Sequence, residues 1–164
     1  MPESIVPVAV IATAVGCCRS ALEATTGVAQ NKVPFATTKT LKHKPLAQHN
    51  YAKALGLDRA AQLYMHDAVD KAYKHAESGE PFTLEQKADL GLAFTHPLQQ
   101  CAEAVRLVAK AVATTCAYKG NPIERSVRGM EVMSHHGFAA EGRYMSCAQA
   151  YWDVDLDFPL LAMD

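Results

Sequence analysis

The sequence predicts an all-α fold, an up-down four-helix bundle built from long antiparallel helices. Apolar residues recur at three- and four-residue spacing over long segments, no segment shows the alternation of a strand, and short polar linkers join the segments. The chain has 164 residues, of which 49% are hydrophobic and 20% charged, so its length and composition suit one core. We therefore predict a single helical-bundle domain over residues 1–164.

The predicted domain has three long helices, a shorter fourth helix, a further short helix and a tail. These segments cover residues 4–30, 45–77, 83–119, 121–134, 138–151 and 152–164. The boundaries rest on capping signals. Thr83 and Gln86 have the spacing of a capping box, and Asn121 followed by Pro122 is typical of a helix start.

Charge and hydropathy argue against two classes of partner. Lys and Arg number 16 and Asp and Glu number 17, a net charge of −1 that lacks the basic excess of a nucleic-acid-binding protein. The uncharged run over residues 5–18 is too short to span a bilayer, and Glu3 precedes it where a signal peptide carries basic residues. We predict a core helix there, with no membrane and no nucleic acid as partners.

The cysteines indicate the compartment. Their number, five, is odd and no Cys-x-x-Cys occurs, which supports neither a disulfide framework nor a zinc ribbon. We therefore expect a reducing, cytoplasmic location.

Two pairs of metal-ligating residues lie four apart, Glu131 with His135 and His66 with Asp70. Helical di-iron sites use Glu-x-x-His twice, but the residue three positions after Glu131 is Ser134. The sequence accordingly predicts no metal site.

Long helices in a small domain leave apolar surface uncovered, which favours a homodimer or homotetramer.

A second set of residues carries a family resemblance. Pro122, Arg125 and Arg128 follow the spacing Pro-x-x-Arg-x-x-Arg, and His136 lies eight residues after the second arginine. With the apolar helix from Cys101 that precedes it, this segment resembles the C-terminal helical domain of the acyl-CoA dehydrogenase superfamily. It is most similar to the flavin-dependent monooxygenase branch, in which a histidine follows the arginines at the same distance.

The loop after the first helix agrees with this resemblance. Residues from Lys32 to Phe35 resemble the superfamily's Arg-x-x-Phe-Gly loop, and Gln48 lies near the glutamine that follows it. Three positions differ, because Lys32 replaces an arginine, Ala36 a glycine, and Gly129 the aspartate after the second arginine. Lysine keeps the charge but lacks the bidentate geometry of arginine.

The resemblance implies a set of functional residues. His136 would be the catalytic residue, close to the flavin or the substrate oxygen, and FMN or FAD would be the cofactor. The cofactor-binding residues would be Lys32, Phe35, Gln48 and Arg128. The alternatives from the residues alone are a histidine at a helix end, stabilised by the dipole, and surface ion pairs between the arginines and Glu124 or Glu131.

Two functional hypotheses follow. The first is a stand-alone or truncated C-terminal domain of an acyl-CoA dehydrogenase-like flavin-dependent oxidoreductase or monooxygenase. It would mediate oligomerisation and contribute to a flavin site at a subunit interface, with activity only alongside a protein that carries the amino-terminal helical and β-barrel domains of complete members. The second is a non-catalytic oligomeric bundle without flavin, acting as an interaction or apolar-ligand-binding protein.

Overall fold

A computed structural model of the chain describes residues 5–162, and within them every regular element is helical. The α-helices are α1 (Ile5–Asn31), α2 (Pro45–Glu77), α3 (Leu84–Val112), α4 (Pro122–Ser134) and α5 (Gly142–Tyr151). Short 3-10 turns cover Leu41–His43, Ala113–Ala117 and Pro159–Ala162. The all-α prediction is confirmed. The predicted start at residue 4 and the end of the tail at residue 164 lie outside the described residues.

Helix α3 is the centre of the bundle and packs against α1, α2, α4 and α5. The short connections alternate the direction of successive helices, so α1 and α3 run the same way. Lys32, directly after α1, accordingly contacts Val112 at the end of α3. One end of the bundle, which we call the first end, is therefore built from the loop after α1, the start of α2, the end of α3 and the start of α4.

The predicted caps are present. The Thr83 hydroxyl accepts from the Gln86 amide at 3.2 Å, and the Gln86 side chain accepts from the Thr83 amide at 2.8 Å. Asn121 accepts from the amide of Ile123 at 2.8 Å, with Pro122 in the first turn. Each cap satisfies amide groups that have no partner inside the helix.

Two boundaries differ from the prediction. The third helix, predicted to extend to residue 119, ends as an α-helix at Val112, because the Val112 carbonyl accepts from Lys32 Nζ and Ala113 takes a φ of 51°. The last helix starts at residue 142 instead of 138, because the amides of Ala139 and Ala140 both donate to the His136 carbonyl in a tight turn. Both differences arise from tertiary or turn contacts that apolar periodicity does not show.

Helix α1 is the most apolar element. By length and composition alone Pro7–Asn31 is apolar enough to cross a membrane, and 39% of its most apolar stretch is buried inside the bundle. Ile11, Cys18 and Leu22 are at most 4% exposed and lie in the main core cluster. This burial fits the interpretation of α1 as a core helix.

The tail folds back onto α3. Leu156 and Leu161 pack against a small buried cluster around Ala88 and Cys147. The hydroxyl of Ser146 donates to Asp157 at 2.8 Å, which ties the tail to α5. This end of the bundle is therefore covered by the chain itself.

Candidate functional site

Lys32 lies at the first end of the bundle and is held by α3. Its Nζ donates to the Val112 carbonyl at 2.5 Å and to the Thr115 hydroxyl at 2.7 Å. The ammonium group thus neutralises the partial negative charge at the end of α3. An ammonium has three N–H donors, so one remains for an anion in the open groove that Lys32 lines with Asn31 and Tyr118.

The neighbouring loop presents an aromatic side chain to solvent. Phe35 is fully exposed. Gln48, near the start of α2, donates through Nε2 to the Lys42 carbonyl at 2.8 Å, so its side-chain oxygen is the atom left for a ligand. Lys32, Phe35 and Gln48 belong to connected segments at the same end of the bundle.

Ala36 lies in this loop with a φ of 56°, a left-handed conformation that favours glycine. The superfamily loop has glycine at this position, and the strained backbone gives the physical reason. Ala36→Gly is expected to raise the free energy of unfolding by about 1 kcal/mol, because relief of the strain exceeds the added entropy of the unfolded chain.

The measurement for Ala36→Gly is urea unfolding followed by circular dichroism. Ala52→Gly is the matched control, because Ala52 is exposed within helix α2, where glycine costs about 1 kcal/mol. Destabilisation by both substitutions would show that the loop does not hold Ala36 in the left-handed conformation.

Arg128 lies farther along α4 and forms the predicted surface ion pair. Its Nε is 3.4 Å from Glu124 Oε1, and its side chain is 72% exposed. Such a pair contributes little to stability and is easily exchanged for a ligand anion. The structure is thus compatible with Arg128 as an ion-pair residue and leaves its guanidinium accessible.

His136 lies just beyond the far end of α4. Its ring stacks on Phe138 with centroids 5.9 Å apart, and its Nδ1 accepts from the Phe138 amide at 3.4 Å. With Nδ1 as an acceptor, the neutral ring carries its proton on Nε2. In this tautomer the Nε2–H of His136 is the donor available to a ligand.

The predicted residues form two groups. Lys32, Phe35 and Gln48 are near the start of α4, whereas His136 follows its end. The 13 residues of α4 correspond to roughly 20 Å at 1.5 Å per residue. One ligand that contacts both groups must therefore be extended.

A cluster that the sequence did not predict joins α2, α3 and α5. His96 Nδ1 lies 3.0 Å from the Tyr144 hydroxyl, and the Tyr64 ring meets His96 edge-on at 6.3 Å. Burial raises the pKa of both tyrosines above the ordinary value of 10.0. The contact between His96 and the Tyr144 hydroxyl links α3 to α5.

A second unpredicted cluster lies in the core. Cys18, Asp58 and Cys101 are all buried, and one ligand atom from each lies within 4.8 Å of the others. A hydrogen bond with Cys101, together with burial, raises the pKa of the Cys18 thiol. The signal available in the sequence was Asp58, which occupies a core position between Ala54 and Ala61 on an apolar helix face.

Residues 8–141 match the family model of the acyl-CoA dehydrogenase C-terminal domain. The indole-3-acetate monooxygenase of Pseudomonas putida is 26% identical over 137 residues, which are 84% of this chain and 35% of that protein. That of Acinetobacter baumannii is 27% identical over 127 residues, 77% of this chain and 33% of that protein. The chain therefore spans about a third of the length of these curated relatives.

The fold also matches a solved structure. XiaF from Streptomyces sp., in complex with FADH2 and glycerol, superposes with a TM-score of 0.87 at 11% identity, over 96% of this chain and 40% of that chain. At this identity the match shows the fold alone.

Proposed function

Because the chain belongs to the acyl-CoA dehydrogenase C-terminal domain family, we propose that it is the C-terminal domain, stand-alone or truncated, of a flavin-dependent monooxygenase. In this role it forms one wall of a flavin site and mediates oligomerisation. The observation that carries the proposal is the family match over residues 8–141, with the Lys32 loop at one end of the bundle. The flavin would supply the redox chemistry, and the protein its binding and orientation.

The separation of the two residue groups requires an extended ligand such as a flavin nucleotide, either FMN or FAD. A phosphate at the first end would meet the remaining N–H of Lys32, with Phe35 beside it and Arg128 farther along α4. The ribityl chain and the isoalloxazine ring, which FMN and FAD share, would then extend from the phosphate toward His136. His136 would then donate through Nε2 to an oxygen of the flavin or the substrate.

The domain supplies one wall, so the proposed site needs a second partner. The relatives are about three times as long as the matched segment, and we propose that a protein with the corresponding remaining domains provides the other walls. A second copy of the chain would bring the Lys32 loop to the subunit interface.

All five cysteines are unpaired thiols, which supports a cytoplasmic location.

Titration with FAD and with FMN, followed by flavin fluorescence, tests the proposal. We expect saturable binding of at least one of the two flavins, about tenfold weaker in Arg128→Ala because one charge-assisted hydrogen bond is lost. Lys53→Ala, an exposed lysine that is not among the proposed cofactor-binding residues, is the matched control and should bind as the unmodified protein does. Absence of binding, alone and with the remaining domains added, would contradict the flavin role.

The second candidate function is a non-catalytic oligomeric bundle. It is favoured by large apolar side chains exposed on α2, where Leu46, Leu63 and Tyr73 are between 66% and 73% exposed. Sedimentation velocity distinguishes the candidates when combined with the titration. A stable dimer or tetramer that binds neither flavin would support the second.

A further inference from the structure

The interior of the bundle contains three potential metal ligands from three different helices. Cys18 comes from α1, Asp58 from α2 and Cys101 from α3, and their ligand atoms lie within 4.8 Å of one another. Cys18 and Cys101 are 0% exposed and Asp58 is 3% exposed. From this arrangement we propose a buried site for a thiophilic divalent cation, with Zn²⁺ as the natural occupant. This site is independent of the proposed flavin role.

The carboxylate of Asp58 provides the strongest argument. Gln62 Nε2 donates to Asp58 Oδ2 at 2.7 Å, whereas Oδ1 is buried without a hydrogen-bond partner among the described residues. Buried carboxylate oxygens are normally paired or bound to a metal. Since both thiols lie within 4.8 Å of the carboxylate, a cation among the three groups would satisfy Oδ1 directly.

The donor set and the geometry select the ion. Two thiolates and one carboxylate suit Zn²⁺, whereas Mg²⁺ and Ca²⁺ prefer oxygen ligands only. Tetrahedral Zn²⁺ with bonds of about 2.3 Å to sulfur holds two sulfurs about 3.8 Å apart. The two sulfur atoms therefore need to approach by at most about 1 Å, a change on the scale of side-chain rotation.

Small residues beside the three ligands allow helices α1, α2 and α3 to pack closely at the proposed site. One turn before or after each ligand the helix has a small buried residue. These residues are Ala14, Ala21, Ala54, Ala61 and Ala104. Gln62 then acts as the outer group that orients the Asp58 carboxylate, the arrangement usual around protein-bound zinc.

Titration of the reduced protein with Co²⁺ tests the proposal, because Co²⁺ reports thiolate ligation spectroscopically. We expect one equivalent to produce a thiolate-to-cobalt charge-transfer band and the ligand-field bands of tetrahedral Co²⁺. Zn²⁺ should abolish both by displacement and should raise the melting temperature. Cys18→Ser and Cys101→Ser should lose the tetrahedral spectrum, and Asp58→Asn, which keeps both thiols, should weaken Co²⁺ affinity by at least about tenfold.

Two controls separate ligation from a folding defect. Cys17→Ser and Cys147→Ser remove thiols outside the cluster and should keep the spectrum and its stoichiometry. Gln62→Met keeps all three ligands and should weaken Co²⁺ affinity by about tenfold. Circular dichroism verifies the fold of each variant, and Asp58→Asn, which is nearly isosteric, decides the case if a cysteine variant fails to fold.

Two results would overturn the proposal. One is the absence of a charge-transfer band with the unmodified reduced protein. The other is an unchanged Co²⁺ affinity in folded Asp58→Asn, since the Asp58 carboxylate would then not be a ligand. Either result would leave the cluster as a metal-free polar group within the core.

Discussion

Leu98→Ala is expected to lower the free energy of unfolding by about 3 kcal/mol, the middle of the range for a buried leucine truncated to alanine. Leu98 is 0% exposed and belongs to the main core cluster. It lies on α3, which packs against all the other α-helices, so the neighbours on every side are fixed and the cavity cannot collapse easily.

Urea unfolding at two protein concentrations measures this loss, because self-association would make the apparent stability concentration-dependent. Leu63→Ala is the matched control. Leu63 is 73% exposed on α2, and its truncation should change the free energy of unfolding by no more than about 0.5 kcal/mol. An equal decrease in the free energy of unfolding of the two variants would mean that Leu63 is buried in an oligomer.

The fold was predictable because each helix carries its own signals. The apolar stripes define four helices. The side chains of Thr83 and Asn121 accept hydrogen bonds from first-turn amides, as expected for N-cap residues. The end of α3 was not predictable, because it depends on the contact between Lys32 and Val112, residues 80 positions apart. Local patterns contain no information on such a pairing.

The site was predictable only through the family resemblance. Residue type and spacing do not indicate how far apart Lys32 and His136 lie. Only the structure shows that the length of α4 separates them. The core cluster was missed for a similar reason. Cys18, Asp58 and Cys101 have no motif spacing, because each comes from a different helix, and two of them pass as ordinary apolar core residues.

Gln99→Met is expected to lower the free energy of unfolding by about 2 kcal/mol, because two hydrogen bonds are lost at about 1 kcal/mol each. Gln99 Nε2 donates to the Ser134 carbonyl at 3.1 Å and to the Ala139 carbonyl at 2.9 Å. These carbonyls flank the loop that carries His136, so one side chain on α3 holds both ends of the loop. Methionine keeps the unbranched shape and removes the donors.

Amide hydrogen exchange, together with urea unfolding, identifies the loop as the affected region. The amides of Ala139 and Ala140, which donate to the His136 carbonyl, should exchange faster in Gln99→Met, while those in the middle of α3 should change only with global stability. Gln100→Met is the matched control. The Gln100 side-chain oxygen is buried without a partner among the described residues, so its removal should be neutral or stabilising. Unchanged exchange at residues 139 and 140 would show that the turn itself, and not Gln99, fixes the orientation of His136.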